Sequence, residues 1–182
     1  MSTLVVTAAN EPYAGLVGDL VSSVVEHRDA LKVHVAVLDL GLSTASRDGL
    51  KSAADHVVTP AWMFKPHAKF SADTKYLARA ARPFLPEIVP GYGTYIWLDA
   101  DTWVQHRLAL EWLIDAARTV DLAAVPTMHR SYVFGQQDVG WLHQRYAMAF
   151  GEALANELIQ QPYFNSGVMA ARAGSQLLRA FA

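Results

Sequence analysis

Short apolar runs of strand length recur along this chain, and each is followed by a segment with helical spacing. Leu4-Val5-Val6-Thr7-Ala8-Ala9 reads as a first buried strand. Behind it, Leu16, Leu20 and Val24, with Val17 and Val21, recur at the spacing of one helix face. Asn10 is read as the N-cap of that helix and Pro12 as an early helical residue. Leu31–Leu38 reads as a second strand, and Ser43–Ala53 as a short helix capped by Ser43 or Thr44. His56–Thr59 follows as a third, short strand before Pro60, and Ser71–Ala81 as a helix that stops before Pro83. Thr94–Leu98 is the central strand, Leu108–Arg118 an amphipathic helix and Asp121–Pro126 another apolar strand. Two helices, about Val139–Phe150 and Glu152–Gln160, precede a strand near Phe164, and a last helix begins near Ser175. Alternating strands and helices imply right-handed crossovers, so the expected fold is α/β: a mostly parallel sheet with helices on both faces. No repeat or linker interrupts the pattern, and one domain over residues 1–182 is expected.

The central strand ends in an unusual way. Tyr95-Ile96-Trp97-Leu98 runs directly into Asp99-Ala100-Asp101. In an extended backbone, residues two apart point to the same face, with Cα atoms roughly 6.5 Å apart. Two hard oxygen donors at the carboxyl end of a buried strand suit a Mg²⁺ or Mn²⁺ ion that also holds phosphate oxygens. An isolated Asp-x-Asp, by contrast, is usually just an acidic turn.

A third polar interruption lies near the far end, in Pro162-Tyr163-Phe164-Asn165-Ser166-Gly167-Val168-Met169. Asn165 and Ser166 offer donors and acceptors inside an otherwise apolar strand, or form a bulge that only shapes it. The ordered triple of the first strand edge with Asn10 and Tyr13, the Asp-x-Asp, and the Phe-Asn-Ser-Gly-Val strand resembles the retaining glycosyltransferases of family 8. That class includes glycogenin and bacterial lipopolysaccharide galactosyltransferases. The resemblance spans residues 3–182 and implies a glycosyltransferase A-type domain: a Rossmann-like, nucleotide-diphospho-sugar transferase fold.

What the resemblance implies for function is specific. The expected reaction is metal-dependent, retaining transfer of a hexose from a nucleotide diphosphate sugar, a UDP-sugar by preference, to an acceptor that the sequence leaves open. Asp99 and Asp101 would hold Mn²⁺ or Mg²⁺, with Ala100 between them at the donor. The strand edge Thr7, Ala8, Ala9 and Asn10 would hold the nucleoside, with Tyr13 stacking on the base. Where relatives carry Asp or Thr near positions 8 and 9, this chain has Ala8 and Ala9, so backbone must serve there. Lys75 would reach the donor, although Pro86–Thr94 lengthens its separation from Asp99. Asn165 and Ser166 would contact the donor sugar or the acceptor. No catalytic nucleophile is assigned.

Duller roles compete with several of these. Tyr13 can pack as the first apolar residue of the helix, and Lys75 can be a solvated charge. His34 is read as structural, and His67, His106, His129 and His143 lack metal-site spacing. Trp97, Trp103, Trp112 and Trp141 are read as mostly core or half-buried, with acceptor stacking the alternative role for Trp103 or Trp141. A rival enzyme class also fits locally, since Asp99-Ala100-Asp101-Thr102 matches the opening motif of haloacid-dehalogenase-type phosphohydrolases, with Asp99 as nucleophile. That motif belongs on a first strand, however, and three strands precede it here. A non-catalytic nucleotide-sugar-binding fragment is the third reading.

Composition supplies the exclusions. A net charge of -2 leaves no footprint for nucleic acid, and the absence of cysteine removes disulfides and thiolate chemistry. No apolar run approaches the roughly 20 residues of a membrane span, and no signal peptide is read, so a cytoplasmic protein is expected. Gln176–Ala182 ends within an amphipathic pattern. The resemblance implies a further segment, carrying an Asp-Gln pair and a His-x-x-Gly-x-x-Lys-Pro-Trp type motif, that is not in this sequence. A domain lacking its C-terminal segment, with apolar surface prone to self-association, is therefore expected.

Overall fold

The computed structural model describes residues 2–66, 68–71, 73–126, 136–161 and 164–180. The chain divides into two compact units, one formed by Met1–Ala123 with Gly167–Ala182 and the other by Ala124–Ser166. His67, His129, Pro162 and Tyr163 fall outside the described residues.

The strands are β1 (Thr3–Ala9), β2 (Val33–Asp39), β3 (His56–Val58), β4 (Thr94–Leu98), β5 (Leu122–Pro126) and β6 (Phe164–Arg172). Their order in the sheet is β3-β2-β1-β4-β6-β5. β1 pairs in parallel with both β2 and β4, and β2 with β3, whereas β4 and β6 are antiparallel. The chain therefore winds outward from β1 through β2 and β3, then crosses back to lay β4 on the other side of β1. That reversal makes the carboxyl ends of β1 and β4 a topological switch point, where sheets of this kind leave a crevice.

The helices are α1 (Ala14–Val25), α2 (Arg28–Leu31), α3 (Thr44–Lys51), α4 (Ala68–Ser71), α5 (Thr74–Ala81), α6 (Leu85–Ile88), α7 (Arg107–Thr119), α8 (Gln136–Phe150), α9 (Glu152–Leu158) and α10 (Gln176–Ala180). In the first unit, strand alternation sorts side chains into two cores. Val5, Val35, Val37, Ile96 and Leu98 meet Val17, Leu20 and Val21 of α1 and Leu110 and Ile114 of α7 on one face. Leu4, Val6, Ala36, Leu38, Tyr95 and Trp97 meet Ala81 of α5 and Leu85 of α6 on the other. Cover on both faces is why β1, β2 and β4 are apolar at nearly every position. In the second unit, α8 and α9 meet at Gly151, whose φ of 85° turns the chain between them. His143 of α8 joins Asn156 of α9 at 3.0 Å.

Several boundaries differ from expectation for local reasons. β2 starts at Val33 because Lys32 takes a left-handed φ of 52° that ends α2. The helix expected over Ser71–Ala81 is broken, and Asp73 caps α5 by accepting from the Lys75 N–H at 2.9 Å. Pro83 does end α5, but the chain coils on through a 3₁₀ turn, Arg82–Phe84, into α6. Asn10 occupies an N-cap position over the 3₁₀ turn Glu11–Tyr13 without making a side-chain cap bond. Its amide instead donates to Thr74 Oγ1 at 3.3 Å. Trp97 is core at 1% exposure, but Trp103, Trp112 and Trp141 are 63%, 70% and 54% exposed, contrary to their reading as core or half-buried.

Candidate active site

A cavity of about 270 Å³ opens at the switch point in the first unit. Ala8, Ala9 and Asn10 reach it from the end of β1, Tyr13 from the turn that follows, and Leu40 from the end of β2. Asp99, Ala100 and Asp101 enter from the end of β4. Thr74, Lys75, Ala78 and Arg79 come from α5, with Arg82 just beyond it. Eight of the eleven residues singled out from the sequence thus line one cavity. Thr7 is instead buried within β1, and Asn165 and Ser166 are exposed at the start of β6, in the other unit.

The acidic motif is not extended. β4 stops at Leu98, and Thr102 donates its N–H to the Asp99 carbonyl at 2.9 Å and its hydroxyl to the same oxygen at 2.7 Å. Asp99-Ala100-Asp101-Thr102 is therefore a β-turn, which replaces the expected extended spacing of the two carboxylates. The turn is tied down at both ends. The Asp99 N–H donates to the Gly167 carbonyl of β6 at 2.8 Å, and the Val104 N–H donates to the buried Ser23 hydroxyl of α1 at 3.1 Å.

Asp99 is a bound carboxylate and Asp101 an exposed one. The Arg82 guanidinium and the Trp97 indole N–H each donate to Asp99 Oδ1 at 2.7 Å. Burial holds the Arg82 guanidinium below its ordinary pKa, and nearby Arg79 acts in the same direction while Asp99 opposes both. Lys75 lines the cavity from the start of α5, but the cation bonded to Asp99 is Arg82. Reading Pro83 only as a helix stop hid Arg82. The available signal was the spacing of Lys75, Arg79 and Arg82 at i, i+4 and i+7, which sets three cations on one helical face.

The end of β1 and the turn after it are clamped from outside. Glu11 accepts from the Ser43 N–H at 2.6 Å and the Ser46 hydroxyl at 3.0 Å. The Ser43 backbone bond leads in lowering the Glu11 pKa. The turn carrying Asn10 and Tyr13 is thereby fixed to the N-terminus of α3. Asp39, at the end of β2, accepts from the N–H groups of Leu42 and Gly41 and pairs with Arg47. Gly41 sits at a φ of 114° to make that loop. Asn10 Oδ1 is buried without a hydrogen bond among the described residues.

Among the described residues no third His, Cys, Asp or Glu joins Asp99 and Asp101 in a metal-holding group. Two carboxylates still form a hard donor set of the kind that suits Mg²⁺ or Mn²⁺. The residues fit such an ion. His34 lies elsewhere, 3.5 Å from Asp55 and against Tyr92, and His106 caps α7.

The family model described as Glycosyl transferase family 8 matches residues 4–174. The chain belongs to glycosyl transferase family 8. Among solved structures, the galactosyltransferase LgtC in complex with donor and acceptor sugar analogues shares 21% identity at a TM-score of 0.59, over 97% of this chain and 59% of that one. The bifunctional glycosyltransferase WbbM shares 17% at 0.59, over 98% of this chain and 33% of that one. Glucosyl-3-phosphoglycerate synthase from Mycobacterium tuberculosis, in complex with Mn²⁺, UDP and phosphoglyceric acid, shares 20% at 0.56, over 95% and 56%. No curated protein matches. These likenesses establish the glycosyltransferase A-type fold for the family 8 chain, which spans about three fifths of the length of LgtC. Family membership also separates it from the haloacid-dehalogenase-type reading, as does the place of the acidic motif on the fourth strand. Among the described residues no helix is long and apolar enough to cross a membrane.

Proposed function

We propose that this family 8 chain binds a nucleotide diphosphate sugar, with UDP-hexose the preferred donor, and serves metal-dependent, retaining hexosyl transfer to an acceptor. The observation that carries the reading is the convergence of Asp99 and Asp101 with Lys75, Arg79 and Arg82 around one cavity at the switch point. Breaking the glycosidic bond builds negative charge on the leaving diphosphate. Preorganised positive charge at that spot stabilises the transition state more than the ground state. Asp99 and Asp101 would hold Mn²⁺ or Mg²⁺, which supplies Lewis-acid stabilisation of the diphosphate when bound. Lys75 and Arg79, both exposed, complement the phosphates. Asn10, Ala8, Ala9 and Tyr13 receive the nucleoside, with the 43% exposed Tyr13 ring free to lie on the base. Thr7 supports that strand edge from within the sheet. Asn165 and Ser166 are assigned to the sugar or acceptor side, by resemblance to the family.

The neighbouring structure that holds Mn²⁺ with UDP supports the choice of metal and nucleotide. The test is turnover of UDP-sugars, followed as UDP release with Mn²⁺ and with EDTA. Metal-dependent release that Asp101→Asn suppresses is expected. Turnover of p-nitrophenyl phosphate that Asp99→Asn abolishes would overturn the reading in favour of a phosphohydrolase.

A further inference from the structure

We propose that Trp97 is a positioning residue of this site, setting the Asp99 carboxylate through its indole N–H and the Arg82 guanidinium through its ring. The inference rests on the proposed metal-dependent donor binding and adds to it a residue that touches neither metal nor nucleotide.

Trp97 and Asp99 lie two residues apart, and the Asp99 N–H still pairs with Gly167 in continuation of the β4–β6 ladder. Strand alternation therefore carries both side chains to the same face. Trp97 is 1% exposed and packed among Leu4, Val6, Ala81, Leu85 and Tyr95, so its ring has no room to turn. Its N–H is thereby aimed, and it meets Asp99 Oδ1 at 2.7 Å. Losing that contact would strand a buried donor, so the bond persists. The Arg82 guanidinium lies over the same indole, 4.8 Å from its centroid, and donates to the same oxygen at 2.7 Å. One rigid side chain thus fixes both members of the Arg82–Asp99 pair. Both donors meet Oδ1, so the Asp99 carboxylate is held in one rotamer at the wall of the cavity. Phenylalanine would preserve the aromatic platform and most of the packing, but it has no N–H.

Two measurements test this. In ¹⁵N-labelled protein without ligand, Asp99→Ala should move the Trp97 indole N–H resonance upfield and speed its exchange. An unmoved resonance would overturn the proposal. In calorimetry, Trp97→Phe should cut the Mn²⁺ enhancement of UDP affinity about five- to tenfold, within the range for losing one ordinary net hydrogen bond. In an Asp99→Asn background the same substitution should cut it no further. A purely structural role would lower the melting temperature yet leave the ratio of affinities with Mn²⁺ and EDTA unchanged, and that result would overturn the proposal. A wild-type protein with no Mn²⁺ enhancement would instead overturn the donor-binding reading and this inference with it. A shifted indole resonance would then still locate the failure in the function rather than in the Trp97–Asp99 contact.

Discussion

Arg82 keeps 11% of its side chain exposed and Asp99 37%, yet the two meet at 2.7 Å. The buried partner is the cation, held by burial below its ordinary pKa, and the carboxylate is the more exposed member, though both line the cavity. The ion pair therefore joins the core of the sheet to the site. Removing Arg82 would take from Asp99 its bonded cation and leave Lys75 and Arg79 as the cations lining the cavity.

Arg82→Ala should destabilise the fold by about 1–3 kcal/mol. That is less than for a fully buried pair, because water screens the exposed Asp99 side. The same variant should weaken nucleotide binding, and Arg82→Lys should recover only part of it, since an ammonium lacks the planar face that lies over Trp97. Thermal melts paired with UDP titrations check both halves.

Asp39 predicts a pH dependence. Burial alone would raise its pKa, but the Leu42 and Gly41 N–H groups and Arg47 overcome it, and the net shift is downward. A folded-state pKa below the unfolded one gives stability that is complete above the unfolded value, about 3.9 for Asp. That stability is lost as pH falls through the depressed folded value. Asp39→Asn should therefore lower the melting temperature near neutrality and flatten its decline below about pH 4. Parallel curves for the two proteins across that acid range would contradict the assignment.

Ser23 anchors the loop behind the acidic turn. Its buried hydroxyl donates to the Leu20 carbonyl at 2.7 Å and accepts from the Val104 N–H at 3.1 Å. Ser23→Ala leaves that N–H without its partner and should cost about 1–3 kcal/mol by denaturant unfolding. The same change should loosen residues 99–104, read as faster amide exchange at Val104.

Glu11 ties the Asn10–Tyr13 turn to the start of α3. Glu11→Ala should weaken UDP binding equally with Mn²⁺ and with EDTA, because it frees the nucleoside edge without touching the carboxylates. A loss confined to the Mn²⁺ condition would place Glu11 in the metal environment instead.

Much of this was legible in the sequence, where period and propensity decide locally. The apolar runs of β1 and β4 and the helical face of Leu20, Val21 and Val24 fixed the alternation and, with it, the switch point. Residues at strand ends, Ala8, Ala9, Asn10, Asp99, Ala100 and Asp101, followed from topology because every carboxyl end near the switch point faces one crevice. What escaped depends on distant partners. The acidic turn that Thr102 closes locally is held by Gly167 and Ser23, contacts that no local pattern encodes. Arg82 was masked by Pro83, whose usual meaning as a helix stop said nothing of the side chain before it. Asn10 looked like a helix cap because Asn favours that place, but its amide is engaged by Thr74, 64 positions away. The outward Trp103 and Trp112 show that the size of an aromatic residue does not reveal which way it points.

The central claim is that Asp99 and Asp101 make this cavity a metal-dependent nucleotide site. Calorimetric titration of UDP into the protein, with Mn²⁺ and with EDTA, tests it most directly. The account predicts binding at least about tenfold tighter with Mn²⁺, equivalent to about 1.4 kcal/mol, and loss of most of that difference in Asp101→Asn. Equal affinity with and without metal, or an enhancement that survives Asp101→Asn, would contradict it.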